Sequence, residues 1–586
     1  MAETSRAIQK NSFARIRIQW EKVVGFFAAI LILYLIGVPM LMLVFSSLRD
    51  TRDKLPIEPT DFTFQNYVQV FTSEMTYRLF MDTLVFALGS LCVGMVLATL
   101  FAWFLERAKT PARSLLMLMV LLPLGTPPVC DAMGWALLAS PAIGVLNKAI
   151  LQPLLGMTGQ GPLNIYSMEG MIFVTGMKIV PLIYVMISGP IARFDPSLEE
   201  ASLTSRVSVS ATFRHITFPL LRPAMLSAAI YCLIITLESF DIPALLGMPH
   251  RIFVFSTLIF DATHPPIGLP NYGLTAAYAT VFLAMAGVLI WVYVRATRHK
   301  EEFSVITGKA YRAKLFDFGR WTWFFVALIV VYFVLAVALP FAVLVWTSFG
   351  LTYRPIHIDS LSFANLNAYA DLIETPRISN TVLNTAIIAV TSATGALLLA
   401  SISSWLSVRS GFRGASIPDR ITILMIGVPS IVLAMSMLFF YIWVPLPIYG
   451  SIWIVAIAVS TRQLAYCTRL MEAAYLQIHK ELEEASLVSG VPWIPTVIRI
   501  VLPIIWPSFA RGWLYVFSYA LRDMSIAVML FSVHNDTIGV RLWITWFTDG
   551  NVEKASAIAV CLALVSMVFS YAFVRATMVH QTQEVL

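Results

Sequence analysis

Charge is scarce in this chain. Asp, Glu, Lys and Arg make up 12% of its 586 residues, against 58% hydrophobic residues. Soluble proteins carry about a quarter charged residues, so a water-solvated fold is excluded. Cysteine is scarce too. The five present (Cys92, Cys130, Cys232, Cys467, Cys561) fall within apolar blocks at unrelated spacings. That excludes a disulfide framework or a paired metal-ligand spacing and leaves them as small buried apolar residues. No Gly-x-x-x-x-Gly-Lys-Ser/Thr loop occurs: Gly308-Lys309 lacks both the upstream glycine and the following hydroxyl, so no nucleotide phosphate is cradled by that route. His-Glu-x-x-His and any nucleophile–base constellation are also missing. No catalytic residue, resident metal or cofactor is expected in this chain, and it is not expected to be an enzyme. The first apolar stretch is too long for a signal-peptide core and no small-residue cleavage site follows it. The formal charge of +7 is dispersed rather than gathered into a basic, base-stacking surface, which argues against nucleic acid.

What is present is a series of apolar blocks, each long enough at 1.5 Å per residue to cross a hydrocarbon core of about 30 Å. Twelve are expected. They lie at about 22–47, 79–105, 114–139, 168–190, 222–245, 274–296, 321–349, 380–407, 420–446, 449–471, 508–533 and 555–577. The chain is an all-α polytopic membrane protein, with lipid as its first partner. Arg6, Lys10, Arg15, Arg17 and Lys22, then Arg107, Lys109 and Arg113, then the run from Arg295 to Arg320 all fall on one side of this topology. The positive-inside bias makes that side cytoplasmic and places both termini there.

The blocks are written twice. Leu198–Pro223 and Leu482–Pro507 align without a gap at an offset of 284, with twelve of twenty-six positions identical. Asp82-Thr83 and Trp103…Arg107 match Asn384-Thr385 and Trp405…Arg409 at an offset of 302, as do Pro127, Ala132 and Met133 with Pro429, Ala434 and Met435. The expected organisation is two parallel repeats of six spans, 1–297 and 321–586, joined by a cytoplasmic linker at 298–320 and related by a pseudo-twofold axis along the membrane normal. In each repeated segment, acids open a short helix where the helix dipole favours them. Gly490 then suits a left-handed turn, and Pro219 or Pro503 is placed to start the next membrane helix. The result is a protruding knuckle.

Glu484-Ala485-Ser486…Gly490…Pro503 and Glu200-Ala201-Ser202…Pro219 resemble the signature of permeases of binding-protein-dependent ATP-binding cassette (ABC) importers. That signature is Glu-Ala-Ala, three residues, Gly, and Pro about twelve residues on. The resemblance covers essentially the whole chain and extends, through Leu237–Gly247 and Tyr272-Gly273-Leu274, to the fused, double-length permeases of the ferric-iron type. Similar permeases carry polyamines, thiamine or 2-aminoethylphosphonate. The resemblance implies the type I ABC importer permease fold and a bacterial inner-membrane location. It also implies two ABC ATPase subunits that bind ATP and a periplasmic substrate-binding protein on the external loops (48–78, 140–167, 246–273, 350–379, 534–553). The ATPase-coupling residues it implies are Glu199, Glu200, Ala201, Ser202, Arg206 and Pro219 in the first copy. Their counterparts in the second are Glu483, Glu484, Ala485, Ser486, Gly490 and Pro503. Arg206 departs from the pattern where Gly490 keeps it. A β-carbon disfavours the left-handed turn by about 1 kcal/mol, so either that bend differs or Arg206 touches the partner.

Charges at membrane depth are costly and mark function by default. Glu238 and Asp241 fall in the fifth block, Arg522 and Asp523 in the eleventh, and the 284 offset sets Arg522 opposite Glu238. These four are the candidate translocation-pathway residues. A Glu238–Arg522 pair would either gate the pathway or only tie the halves together. Asp131 and Lys178 are lone charges in the third and fourth blocks, suited to structural roles. His215, His250 and His264 have no ligand-like spacing and are expected to be solvated. The rival class is an ion-driven carrier, whose marks are midplane acids serving proton relay or broken helices flanking an ion site.

Overall fold

The computed structural model describes residues 20–583 apart from 53, 55, 194–201, 203, 266, 298–316, 353–357, 411–413 and 492. Most of the expected linker therefore lies outside the described residues, as do Glu199, Glu200 and Ala201. The described chain is all-helical, relieved by one isolated bridge between Arg49 and Phe62. Its main helices are α1 (Trp20–Ser47), α2 (Glu74–Arg107), α3 (Arg113–Leu124), α4 (Pro128–Ala139), α5 (Met168–Arg193), α6 (Phe218–Leu237) and α7 (Tyr272–Thr297). The second half supplies α8 (Trp321–Ser348), α9 (Pro376–Arg409), α10 (Ile417–Gly427), α11 (Ser430–Tyr441), α12 (Ile452–Leu476), α13 (Lys480–Val488), α14 (Leu502–Arg522) and α15 (Val552–Gln583).

Nine of the described helices are long and apolar enough to span a membrane, and the bent pairs α3/α4 and α10/α11 raise the number to eleven. The twelfth expected block is the 25-residue α12, which is long enough but diluted by Arg462, Gln463, Arg469 and Glu472. Large apolar side chains such as Phe26, Phe27, Leu41 and Val568 point outward from these helices, as lipid-facing surfaces require. Of the cysteines expected to be buried, Cys130, Cys232 and Cys467 are. Cys92 and Cys561 are exposed, because they lie on outward faces of α2 and α15.

Four expected blocks are broken. The 114–139 block turns by 95° and the 420–446 block by 115°. Each break falls just before Pro127 or Pro429. A proline pushes the residue before it out of the helical region, and Val428 is extended at φ −85°, ψ 111°. The 222–245 and 508–533 blocks stop at Leu237 and Arg522, and the chain restarts as short helices at Asp241 and Ser525.

The halves interlock. α1 packs on α11, with Tyr34 edge-on to Phe440 at 5.4 Å. α8 packs on α4, where a β-carbon at Gly134 would sit 2.6–2.8 Å from Pro340 side-chain and backbone atoms. The first helix of each half is thus laid against the bent pair of the other. Repeated sequence finds repeated contacts: the Thr83 hydroxyl accepts the Phe255 N–H at 3.2 Å, and Thr385 accepts that of Ile538 at 3.0 Å. In each case a threonine of the long helix satisfies an orphan donor at the start of a short outer helix.

Prolines carry a second regularity. The π turns at Asn147–Leu151, Phe213–Thr217, Val334–Ala338 and Val497–Val501 each end two residues before a proline (Pro153, Pro219, Pro340, Pro503). A pyrrolidine ring clashes with the carbonyl four residues back, and a widened turn moves that carbonyl away. Pro219 and Pro503 therefore do not start their helices as expected. The chain is already helical from Val209 and Trp493.

Candidate functional site

The breaks leave backbone groups without helical partners deep in the bundle, tolerable only where protein or a cavity supplies them. Basic side chains supply the carbonyls. In the first half, Lys178 of α5 donates to the carbonyls of Pro123 (2.7 Å) and Thr126 (2.5 Å), to the Thr126 hydroxyl (2.6 Å) and to Asp131 (2.6 Å). In the second, Arg462 of α12 donates to the Met425 carbonyl (3.1 Å), the Ser430 hydroxyl (3.2 Å) and Glu238 (2.6 Å). Arg522 donates to the Leu124 carbonyl. Cations at helix carbonyl ends are favoured by both hydrogen bonding and the helix dipole.

All four candidate pathway residues line one cavity of about 240 Å³ together with Lys178, Ser430, Tyr519 and Ser525. Glu238, Asp241 and Asp523 sit at the helix breaks, not within spans as expected, because α6 ends at Leu237 and α14 at Arg522. Asp523 accepts the Ile526 N–H at 3.1 Å and so caps the short helix that follows. Asp241 accepts from the Ser525 hydroxyl at 3.2 Å. These two residues are 284 positions apart, so the pseudo-twofold axis passes between them.

The expected Glu238–Arg522 pair is not formed. Glu238 pairs across the halves with Arg462, because α12 brings that guanidinium to the second break while Arg522 is turned to the first. Asp131 and Lys178, expected as separate charges, are one buried ion pair. Sequence reasoning passed over Arg462, although a signal existed: it lies inside the 449–471 block and 284 positions from Lys178. The histidines are in surface positions. His215 bonds the Ala211 carbonyl (2.9 Å), while His250 stacks on Tyr166 and His264 on Phe260. Among the described residues, no cluster of His, Cys, Asp or Glu is suited to hold a metal ion.

The second site is the pair of knuckles. α13 ends in a left-handed Gly490 (φ +80°), and the Val491 N–H reaches back to the Ser486 carbonyl at 3.2 Å. In the first copy Arg206 takes the same turn at φ +60°, and the Val207 N–H reaches the Ser202 carbonyl at 3.1 Å. The bend is therefore shared despite the departure from glycine. Ser202 bonds Thr212 and Ser486 bonds Thr496, each at 2.8 Å, clamping both bends alike. The two consecutive glutamates of the second copy diverge. Glu483 pairs with buried Arg409 at 3.0 Å, whereas Glu484 and Ala485 are exposed, as are Leu482 and Val488.

A multi-pass helical bundle with paired helix breaks around a central polar cavity has the architecture that passage of a solute across a membrane requires. Residues 375–578 match the family described as binding-protein-dependent transport system inner membrane component, so this part of the chain is similar to the permeases of that family. That family is one of transport permeases, not an enzyme class. The chain is 24% identical over 490 residues to a putative ferric transport system permease protein of Haemophilus influenzae, covering 82% of this chain and 74% of that one. It is 23% identical to a ferric transport system permease protein of Actinobacillus pleuropneumoniae (81% and 67%). It is 26% identical to a trehalose/maltose transport system permease protein of Thermococcus litoralis (41% and 80%). A crystal structure of a bacterial alginate ABC transporter with its periplasmic protein aligns at 15% identity over 43% of this chain and 92% of that one. Its TM-score of 0.34 is too low to bear on the fold.

Proposed function

We propose that this chain is the fused two-repeat permease of an ATP-driven importer that takes ferric iron from a periplasmic binding protein into the cytoplasm. Two partner ATPase subunits would engage the knuckles at the cytoplasmic face, and ATP would be bound and hydrolysed there, not in this chain. Closure of the ATPases would draw the knuckles together and open the halves outward. Substrate would then enter the cavity between α6 and α14, and hydrolysis would return that cavity to the inside. Each ligand drives this cycle only by binding its two states differently.

The observation that carries the reading is the duplication of one knuckle geometry, with the same left-handed turn and the same 2.8 Å clamp in both copies. The broken helices and buried acids match the marks of an ion-driven carrier as well. That class gives no reason for two matched, outward-facing knuckles. The relatives named for ferric transport support iron as cargo.

ATP hydrolysis by the chain reconstituted with its ATPase subunits and binding protein tests the proposal. Ferric-loaded binding protein is expected to stimulate hydrolysis and the unloaded form is not. Stimulation by a polyamine-, thiamine- or 2-aminoethylphosphonate-loaded binding protein instead would replace the cargo. Failure of any ATPase subunit to associate would overturn the class of mechanism.

A further inference from the structure

Glu483 and Glu484 are consecutive, both acidic and both in the first turns of α13, yet the structure separates their surroundings. Arg409, whose side chain is 5% exposed, is the last residue of α9. Its guanidinium donates to the carbonyls of Tyr475 (3.1 Å) and Ile478 (2.6 Å), at and just beyond the end of α12. On its other side it holds Glu483 at 3.0 Å. The Tyr475 hydroxyl closes the joint by bonding Ser401 of α9 at 2.8 Å. One buried cation thus binds the end of α9, the carbonyl end of α12 and the first turn of the knuckle. Glu484, the next residue, is exposed.

We propose that Glu483 is not an ATPase-contact residue but the permease's own latch. Through Arg409 it transmits displacement of the knuckle to α9 and α12, and α12 carries Arg462, which grips Glu238 at the cavity. This rests on the reading of the knuckle as the ATPase-docking element, which Glu484 and its exposed neighbours serve. Both residues of the latch are positioning residues. A short ion pair with little solvent around it couples rigid-body motion in a way that an exposed pair, free to re-orient and screened by water, does not. In the first half the buried Arg107 occupies the position equivalent to Arg409, and the equivalent of Glu483 is Glu199.

The test uses the full chain with its ATPase subunits and loaded binding protein in proteoliposomes. It reads ATPase capture, ATP hydrolysis and transport separately. Glu484→Lys is expected to lose capture. Glu483→Gln and Arg409→Gln are expected to keep capture and hydrolysis while transport per ATP falls about tenfold, the scale of an ordinary coupling between sites. Arg409→Lys, which keeps a cation for Glu483 and a donor for the Tyr475 and Ile478 carbonyls, is expected to retain more of the coupling than Arg409→Gln. Loss of capture in Glu483→Gln to the same degree as in Glu484→Lys overturns the latch, as does unchanged transport per ATP. Where Arg409→Gln fails to accumulate, the milder Glu483→Gln decides: capture and hydrolysis kept with lowered transport per ATP supports the latch, and lost capture or unchanged transport per ATP overturns it. Normal capture by Glu484→Lys would instead sink the docking reading of the knuckle itself, an outcome separate from either result for Glu483.

Discussion

Lys178 and Arg462 stand at equivalent positions in the two halves, 284 residues apart, and each holds the carbonyl end of a bent helix pair. Their acids differ. Lys178 is answered from within its own half, by Asp131 three residues beyond the break's end at Pro128, at 2.6 Å. Arg462 is answered from the other half, by Glu238 at the same distance. Leu433 holds the position matching Asp131, so the second half has no acid of its own there. A duplicated architecture has thus been given one ion pair closed within a half and one that spans the halves. Both breaks are held across the halves, however: Arg522 at the end of α14 donates to the Leu124 carbonyl at the first break, and Glu238 just beyond the end of α6 pairs with Arg462 at the second.

The largest expected effect comes from breaking the spanning site. Removing one member of a buried pair leaves a charge uncompensated and costs about 3–5 kcal/mol. Arg462→Leu should therefore abolish transport and sharply lower the thermal midpoint of the solubilised protein. Glu238→Gln should recover part of that loss when combined with it. The comparison is sharpened by a cross-pairing experiment. Lys178→Leu should be relieved by Asp131→Asn and not by Glu238→Gln, with non-matching combinations additive to within about 0.5 kcal/mol. Relief of Arg462→Leu by Asp131→Asn would mean that the two sites are one network.

A smaller effect is expected where the halves interlock. Gly134 of α4 meets the backbone of Pro340 in α8, and an added methyl finds atoms 2.6–2.8 Å away. Its counterpart at an offset of 302 is Ser436, fully buried with its hydroxyl on the Leu433 carbonyl at 2.7 Å. That half accepts a β-carbon at the crossing. Gly134→Ala should cost about 1–3 kcal/mol through overpacking, and Ser436→Ala less than about 1 kcal/mol. Thermal unfolding in detergent checks both, and equal losses would show that the two crossings are packed alike.

Much of this was legible in the sequence, and the illegible part has a physical pattern. Span positions followed from block length, and the knuckles from their repeated text. The four candidate pathway residues do share a cavity. The pairing within that cavity was not legible, because the offset rule relates equivalent residues, whereas an ion pair forms between whichever groups the breaks bring together. At the axis the offset rule does describe a contact, between Asp241 and Ser525. Away from it, equivalent residues lie apart, and Glu238 meets the counterpart of Lys178 instead of its own. Arg462 was overlooked because a span reading treats its block as apolar, whereas a helix that packs beside a cavity tolerates what a lipid-facing one does not. The four broken spans were hidden for a similar reason: hydropathy registers length and apolarity, and a proline or a buried carboxylate that ends a helix changes neither.

The smallest effect separates the two knuckles, which share a bend but not the residue at its corner. Gly490 at φ +80° has open space where a β-carbon would go, and Arg206 at φ +60° occupies that conformation with a full side chain. The left-handed region costs a non-glycine residue about 1 kcal/mol. Arg206→Gly should therefore tighten the first knuckle and Gly490→Ala should loosen the second, each by about that amount. Hydrogen exchange at Val207 and Val491 reports this directly, because their N–H groups close the two turns onto Ser202 and Ser486. Exchange at Val207 should slow several-fold in Arg206→Gly and exchange at Val491 should quicken in Gly490→Ala, on the scale of tenfold per 1.4 kcal/mol. If Arg206→Gly instead quickens exchange at Val207, the arginine side chain stabilises its own turn. The first knuckle would then be held by contacts that the second does not need, and its departure from glycine would be a second way of building the same corner.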